Sequence, residues 1–374
     1  MKYCTECLQP DTKPNDYFSA DGVCSACLDG HEPELIDWQE RYELLESLVA
    51  RFPKARGQHF DCLIGVSGGK DSLRQALWVR DHLGLKPLLV CLSYPPQQVT
   101  QVGVDNISNL IELGFDVIWS APAPETWRRL MREAFLKFSN FCRSTELALY
   151  SSAPQIAIRY KIPLIFTGEN QSLRDRGTLT NAGWDYNAAR NQNTLNGGNL
   201  RWFEEAGFQP RQFLPYVYPD ATAFDAAGLQ IIDLGWFIGD WNNLDNGSFS
   251  AAHGLSIRDD SVENTGDPLS ISALDEDWVA VNQMIKYYKF GFGKATDYAN
   301  EDIRLGRVSR SHAVSFVEKY DGACSEDYIR SFCAYLGLTA SEFWQQVHSC
   351  VNTRLFDIGA DGTVKPRFKV GIGL

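Results

Sequence analysis

The stretch DCLIGVSGGKDSLRQALWVRDHL, residues 61–83, decides how the rest of the chain is read. Its first six residues have the short, apolar character of a buried strand. Asp71-Ser72 then opens a helix in which Leu73, Ala76, Leu77, the stem of Arg80 and Leu83 share one face. A glycine turn joins the two. Strand, Gly-Gly turn and helix start make an anion cradle, because successive backbone N–H groups and the helix dipole point at one spot. Phosphate is the expected guest, yet the common phosphate loops do not fit. A Walker A loop needs Gly where Ile64 stands and Ser or Thr where Asp71 follows Lys70, and a G-x-G-x-x-G fingerprint is absent.

SGGKDS at 67–72 instead resembles the SGGxDS signature of the ATP pyrophosphatases, or PP-loop enzymes. The resemblance implies cleavage of ATP between its α- and β-phosphates, transfer of AMP to a carbonyl or amide oxygen, and displacement of AMP by a nitrogen or sulfur nucleophile. It implies that Ser67, Gly68, Gly69 and Ser72 hold the departing pyrophosphate, that Lys70 neutralises it, and that Asp71 orients the loop or holds Mg²⁺.

With 374 residues the chain has room for two domains and small additions, and 44% hydrophobic with 12% aromatic content supports real cores. A net charge of −12 disfavours nucleic acid as a partner, since Lys and Arg drive such binding by displacing counterions from phosphates. MKYCTEC lacks the apolar run of a signal peptide, and no run of about 18 apolar residues occurs, so a cytoplasmic protein without a membrane segment is expected.

Ten cysteines in such a chain point to ligands, core residues or catalysts before disulfides. Cys4-x2-Cys7 and Cys24-x2-Cys27 are separated by sixteen residues, and each pair offers two thiolates from one tight knuckle to a tetrahedral Zn²⁺. An iron–sulfur centre and a redox C-x-x-C are the competing readings. The intervening LQPDTKPNDYFSADGV is turn-rich and too polar to fold alone, so metal is expected to supply folding energy to this knuckle, residues 1–33.

Residues 34–201 read as an α/β domain of the PP-loop ATP pyrophosphatase type. Leu35, Trp38, Tyr42, Leu45, Leu48 and Val49 mark a leading helix over 34–52 whose aromatics are expected in the core. Strands over 87–93, 116–120 and 163–167 alternate with helices over 102–113, 125–137 and 146–160, which predicts a doubly wound parallel sheet with ligands at the carboxyl ends of its strands. Cys62 and Cys91 lie inside strands and are expected to be buried. Past the fourth strand comes Thr167-Gly168-Glu169-Asn170. There Gly168 joins the nucleotide-binding residues, and Glu169 holds Mg²⁺ or positions the acceptor, or else is a helix cap or a solvated carboxylate. The Asn- and Gly-rich run 171–201 reads as a substrate lid, against a plain insertion. Residues 202–277 read as an irregular, substrate-side region in which 229–234 is a strand or short helix. His253 there carries no assigned chemistry. Residues 278–374 read as helical, with helices over 311–320, 325–336 and 339–351, the last opening on the capping box Thr339-Ala-Ser-Glu342. Lys286, Lys289, Lys294, Arg304, Arg307 and Arg310 gather positive charge that could grip phosphates or form a solvated face.

The four-cysteine knuckle, SGGKDS at 67–72, GEN at 168–170, KFGFGKATDYANEDIRLGRVSRSHAV at 289–314 and EKYDG at 318–322 together resemble the N-acetyl sugar amidotransferase family. The resemblance spans nearly the whole chain. It implies conversion of a sugar acetamido group to an acetamidino group in bacterial surface-polysaccharide pathways, with ATP, Mg²⁺ and ammonia. It also implies a separate glutaminase like that of histidine biosynthesis, often accompanied by a cyclase-like barrel subunit. The substrate is then an N-acetylated sugar, nucleotide-linked or otherwise anionic. After GEN the family pattern would give an EYGG-like run, and QSLRDRG at 171–177 departs from it, which bears on the acceptor and not on ATP use.

The competing function is sulfur transfer to a small metabolite or a tRNA base, because thiolating PP-loop proteins also carry knuckles before SGGKDS. Such an enzyme needs a reactive cysteine or an exposed cluster, and Cys142 in SNFCRSTE is the candidate, its alternative being a core cysteine. A third class, a non-catalytic adaptor with a relic nucleotide site, is disfavoured by the intact loop.

Overall fold

In the computed structural model, residues 1–14, 16–30, 36–53, 58–168 and 195–374 are described. Five strands, β1 (Cys62–Val66), β2 (Pro87–Leu92), β3 (Asp116–Ser120), β4 (Leu164–Thr167) and β5 (Gln230–Asp233), form one sheet in the order β3-β2-β1-β4-β5. Every neighbouring pair is parallel. Successive residues of a strand point to opposite faces, and here both faces are covered. Cys62, Ile64, Val66, Leu89 and Cys91 enter one core with Leu73, Ala76 and Leu77 of the Lys70–Leu83 helix and Ile107 and Leu110 of the Gln101–Glu112 helix. Leu63, Leu88, Val90 and Ile165 enter another with Ala157 of the Cys142–Tyr160 helix. That double burial is why the strands read as continuous apolar runs.

The chain winds from β1 outward through β2 to β3, then crosses back to lay β4 and β5 on the other side of β1. Connections leaving β1 and β4 therefore diverge, and a crevice opens at their carboxyl ends. The SGGKDS loop and Gly168 both lie there.

Three expectations need revising. The stretch 229–234 resolves as strand β5 followed by a 3-10 turn, Leu234–Trp236, so the fifth strand of the sheet comes from the region read as irregular. The helix expected from 146 begins at Cys142, four residues earlier. In the leading helix, Trp38–Val49, Leu45 and Leu48 are buried, but Trp38 is exposed and lies over Gly239 instead of entering the core. Leu35 is outside the described residues.

The C-terminal helices, Val279–Phe290, Lys294–Arg304, Arg310–Tyr320, Glu326–Leu336 and Ala340–Cys350, follow the pattern read from sequence. The capping box forms: Glu342 N–H donates to Thr339 Oγ1 at 3.2 Å, and Thr339 N–H donates to Glu342 Oε2 at 2.8 Å. A two-stranded hairpin, β6 (Phe356–Ile358) and β7 (Val364–Pro366), follows them. Phe135 of the Pro124–Phe138 helix stacks on Phe343 at 5.4 Å and meets Phe332 edge-on at 5.4 Å, so these helices share a core with the α/β body. Among the described residues no helix is long and apolar enough to cross a membrane.

Candidate active site and metal centre

Gly68 has φ +78°, and a Cβ there would meet Asn106 Cβ and the Gly103 carbonyl at 3.1 Å each, so the turn needs glycine for its backbone and for its closeness to the Gln101–Glu112 helix. Gly69 caps the next helix, and Ser72 Oγ donates back to the Gly69 carbonyl at 2.9 Å, which fixes the curl of the loop. Its first amides have no acceptor inside the helix and point at the crevice. Replacing Gly68 with Ala is expected to destabilise the fold by about 1–3 kcal/mol and to weaken pyrophosphate binding, as read by urea denaturation and calorimetric titration.

Lys70 Nζ lies 2.8 Å from Asp71 Oδ2, with the lysine side chain 7% exposed and the aspartate 43% exposed. Asp71 is thus held at the loop but open, and hard cations such as Mg²⁺ take oxygen ligands of this kind. Its other oxygen accepts from Asn246 Nδ2 at 2.6 Å, and Asn246 Oδ1 accepts from Arg74 Nη1 at 2.6 Å. Arg74 also pairs with Asp240 at 2.6 Å. Ser250 Oγ donates to the Lys70 carbonyl at 2.6 Å. Asn246 and Ser250 come from the Asn243–Ala252 helix and Asp240 from just before it; that helix lies close against the Lys70–Leu83 helix because Gly247 presents no side chain to Ile271 and Lys70. Trp241 Nε1 donates to the Gly168 carbonyl at 3.0 Å, so the residue after β4 is fixed from the same side.

The Lys294–Arg304 helix joins this assembly through the Asn243–Ala252 helix, to which its Glu301 is bonded. Burial pushes Lys294 down to about 8, Asp267 opposes that, and the charge of Lys70 adds to it. Tyr298 packs its ring 5.1 Å from Lys294 Nζ, hydrogen-bonds Ser272 Oγ at 2.7 Å, and is raised by burial, then by Asp267 and, more weakly, by Asp71. Lys286 pairs with Asp297 at 2.6 Å. Asp297 keeps a 44% exposed side chain although surrounding protein desolvates its charge, as expected of a group lining a deep cleft. Asp321, from EKYDG, caps this helix by accepting from Gly293 N–H and Thr296 N–H at 3.0 Å each. Burial raises it to about 6 against those bonds. Asn243 Nδ2 donates to Glu301 at 2.7 Å, and Arg307 reaches Asp245 at 3.3 Å, so the Asn243–Ala252 helix ties the loop to the C-terminal helices.

Cys4, Cys7, Cys24 and Cys27 are all buried, with their sulfurs within 4.8 Å of one another and Cys7 Sγ to Cys24 Sγ at 3.7 Å. A single tetrahedral ion with metal–sulfur bonds of about 2.3 Å spaces its sulfurs about 3.8 Å apart, so the dimensions fit one ion. Cys24 N–H and Gln9 N–H donate to Cys4 Sγ and Cys7 Sγ at 3.3 and 3.4 Å, favouring thiolates. Four thiolates need a cation to coexist. The knuckle docks on the C-terminal region, far along the chain: Leu8 N–H donates to Asn300 Oδ1 at 2.8 Å, and Arg310 donates to the Cys7 and Cys4 carbonyls at 3.0 and 3.2 Å.

Of the residues singled out from sequence, Ser67 to Ser72 and Gly168 come together, and the four cysteines gather at a separate centre. Glu169, Asn170 and the lid stretch up to 194 lie outside the described residues. Cys142 is a correction: it is 6% exposed in an aromatic core with Phe141 and Trp127, and burial, then Glu146 and Glu276, push its thiol well above the usual range, the reverse of a reactive thiolate. The basic set divides. Lys286 and Lys294 line the cleft, Lys289 donates to the Phe138 and Ser139 carbonyls, Arg310 serves the knuckle, and Arg304 ends its helix about 15 Å from Lys294. His253 is exposed and bonds the Phe249 carbonyl. Sequence reasoning missed Arg74, Asp240, Trp241, Asn246 and Ser250. The one available signal was Asn242 three residues before Asp245, a helix cap that the structure forms at 3.0 Å.

Sheet order, the loop after β1 and the C-terminal helices define an α/β protein with a doubly wound, five-stranded parallel sheet and a helical C-terminal region. Residues 271–364 match the family described as LPS biosynthesis protein WbpG-like, C-terminal domain. That match bears out the family resemblance carried by the motifs at 289–322. No curated protein matches the chain. Among solved structures, the U34-tRNA thiolase NcsA from Methanococcus maripaludis with its 4Fe-4S cluster is similar at 12% identity over 82% of this chain and 87% of that one, with a TM-score of 0.29. A likeness at that level carries no argument about what this chain binds.

Proposed function

We propose that the chain is an ATP-dependent amidotransferase of lipopolysaccharide sugar biosynthesis, converting the acetamido group of an N-acetylated, nucleotide-linked sugar to an acetamidino group. The observation that carries this reading is the SGGKDS loop packed close to the WbpG-like residues 271–364, with Lys70 and Ile271 both meeting Gly247, which supports a phosphate cradle and a sugar-pathway domain acting together. An amide carbon is a poor electrophile with a poor leaving oxygen. The amide oxygen attacks the α-phosphorus of ATP, and the bond to the β-phosphate breaks. Pyrophosphate leaves into the loop, where Lys70 and the helix-start amides take up its charge. Ammonia then adds to the carbon, the C–O bond breaks with AMP as leaving group, and loss of a proton gives the amidine. Asp71 would hold Mg²⁺, which supplies charge neutralisation to the triphosphate. Ammonia would come from a separate glutaminase, with a cyclase-like barrel as a further partner, and the four-cysteine centre would hold a structural Zn²⁺ in a cytoplasmic enzyme.

The test is mass spectrometry of products after incubation with ATP, Mg²⁺, N-acetylated nucleotide sugars and ammonium, with sulfide in a parallel reaction. AMP, pyrophosphate and a sugar lighter by the difference between O and NH are expected. A sugar heavier by the difference between S and O, formed only with sulfide, would replace this reading with thiolation. Because Cys142 is buried, Cys142→Ala is expected to leave turnover within about twofold, at a stability cost of about 1 kcal/mol. Abolished turnover in a folded Cys142→Ala protein would favour the sulfur route.

A further inference from the structure

Three lysines approach the cleft, and two of them are neutralised locally. Lys70 has Asp71 at 2.8 Å, and Lys286 has Asp297 at 2.6 Å. Lys294 has no salt bridge or hydrogen bond among the described residues. The nearest carboxylate in charge terms is Asp267, but its oxygens are turned to the backbone, accepting from Leu269, Ile271 and Ser272 N–H at 2.9, 3.2 and 2.9 Å. The stem of Lys294 is fixed beside Gly266 and its tip stands over the Tyr298 ring. Ile271, at the far end of the turn that begins at Gly266 and bonded through its N–H to Asp267, meets Gly247 together with the stem of Lys70, so one short turn joins the surroundings of the two lysines. Two like charges held within reach of each other in a desolvated cleft repel, and an anion between them turns that repulsion into attraction on both sides.

We propose that Lys294 and Lys70 form a two-sided clamp for a phosphoryl group, with one lysine from the loop and the other from the C-terminal domain. The inference rests on the loop being an ATP site, and it adds a second cation that the SGGKDS signature does not contain. The phosphoryl group belongs either to ATP or to the diphosphate of the sugar substrate, and the chemistry of recognition is the same for both.

The experiment is calorimetric titration of the full chain and of Lys294→Met, which keeps the stem against Tyr298 and removes the charge, with Lys294→Arg as the charge-conserving comparison. The probes are ATP, inorganic pyrophosphate and UDP-N-acetylglucosamine. Loss of one charge-assisted bond is expected to weaken the affected probes by about tenfold to a hundredfold, with Arg restoring much of it. Weakened ATP and pyrophosphate binding with unchanged nucleotide sugar assigns the clamp to ATP. The converse assigns it to the sugar diphosphate. Unchanged affinity for all three probes in Lys294→Met, with wild-type binding intact, overturns the clamp and leaves the ATP site standing. A wild-type chain that binds neither ATP nor pyrophosphate overturns both. Circular dichroism and Tm establish that the variants fold, and should Met perturb packing, Lys294→Gln gives the same reading.

Discussion

Lys70→Ala is expected to lower ATP-dependent pyrophosphate release by about a thousandfold while Tm and circular dichroism stay close to those of the parent. The Lys70 side chain is buried at the loop with its ammonium paired to Asp71, and its carbonyl is pinned by Ser250. The backbone cradle therefore survives the substitution, and the cation next to the leaving group does not. Removal also takes the paired ammonium away from Asp71, whose charge then faces the pyrophosphate, so the loop repels what it should hold. Lys70→Arg keeps the charge but cannot keep the geometry, since a planar fork replaces a compact ammonium. Steady-state release of pyrophosphate is the measurement. Turnover near the parent rate in Lys70→Ala and also in Asp71→Asn would sink the assignment of the loop.

Removing the metal is expected to have the second large effect. Cys24→Ser, or treatment with a strong chelator, should release one ion per chain and lower Tm, since metal binding in such knuckles supplies folding energy on the order of 10 kcal/mol. The damage should not stay local. Leu8 bonds Asn300, and Arg310 bonds the Cys4 and Cys7 carbonyls, so the Lys294–Arg304 and Arg310–Tyr320 helices lose their N-terminal support. Hydrogen exchange should rise at the knuckle and along both helices while β1 and β2 stay protected. A metal-free chain of unchanged Tm and full activity would contradict the structural role.

The parallel sheet was legible because each buried strand is a short apolar run ending in turn residues, and the SGGKDS loop because its chemistry is local. The cysteines were legible for the same reason: spacing along the chain sets the knuckle. What escaped was built from residues whose meaning depends on distant partners. Asn246 reads as a loop residue until Arg74 and Asp71 lie on either side of it. Strand β5 was ambiguous because four residues, QIID, suit a short helix as well until β4 is beside them. Cys142 misled because exposure cannot be read from the polar residues flanking it, and the helix that begins there turns it into an aromatic core.

The docking of the knuckle has a consequence for how the protein is made. Cys4 to Cys27 can take up metal as soon as they leave the ribosome, but Asn300 and Arg310 follow nearly three hundred residues later, the Leu8–Asn300 separation being 292 positions. At about 5–20 residues per second that is an interval of roughly 15–60 s. Throughout it Tyr3 and Leu8, which end up packed against Phe368 and Val317, lack their partners. A knuckle that took up metal at that stage would order long before its seat exists, so nascent-chain metal loading and chaperone access during synthesis would help set the yield of native protein.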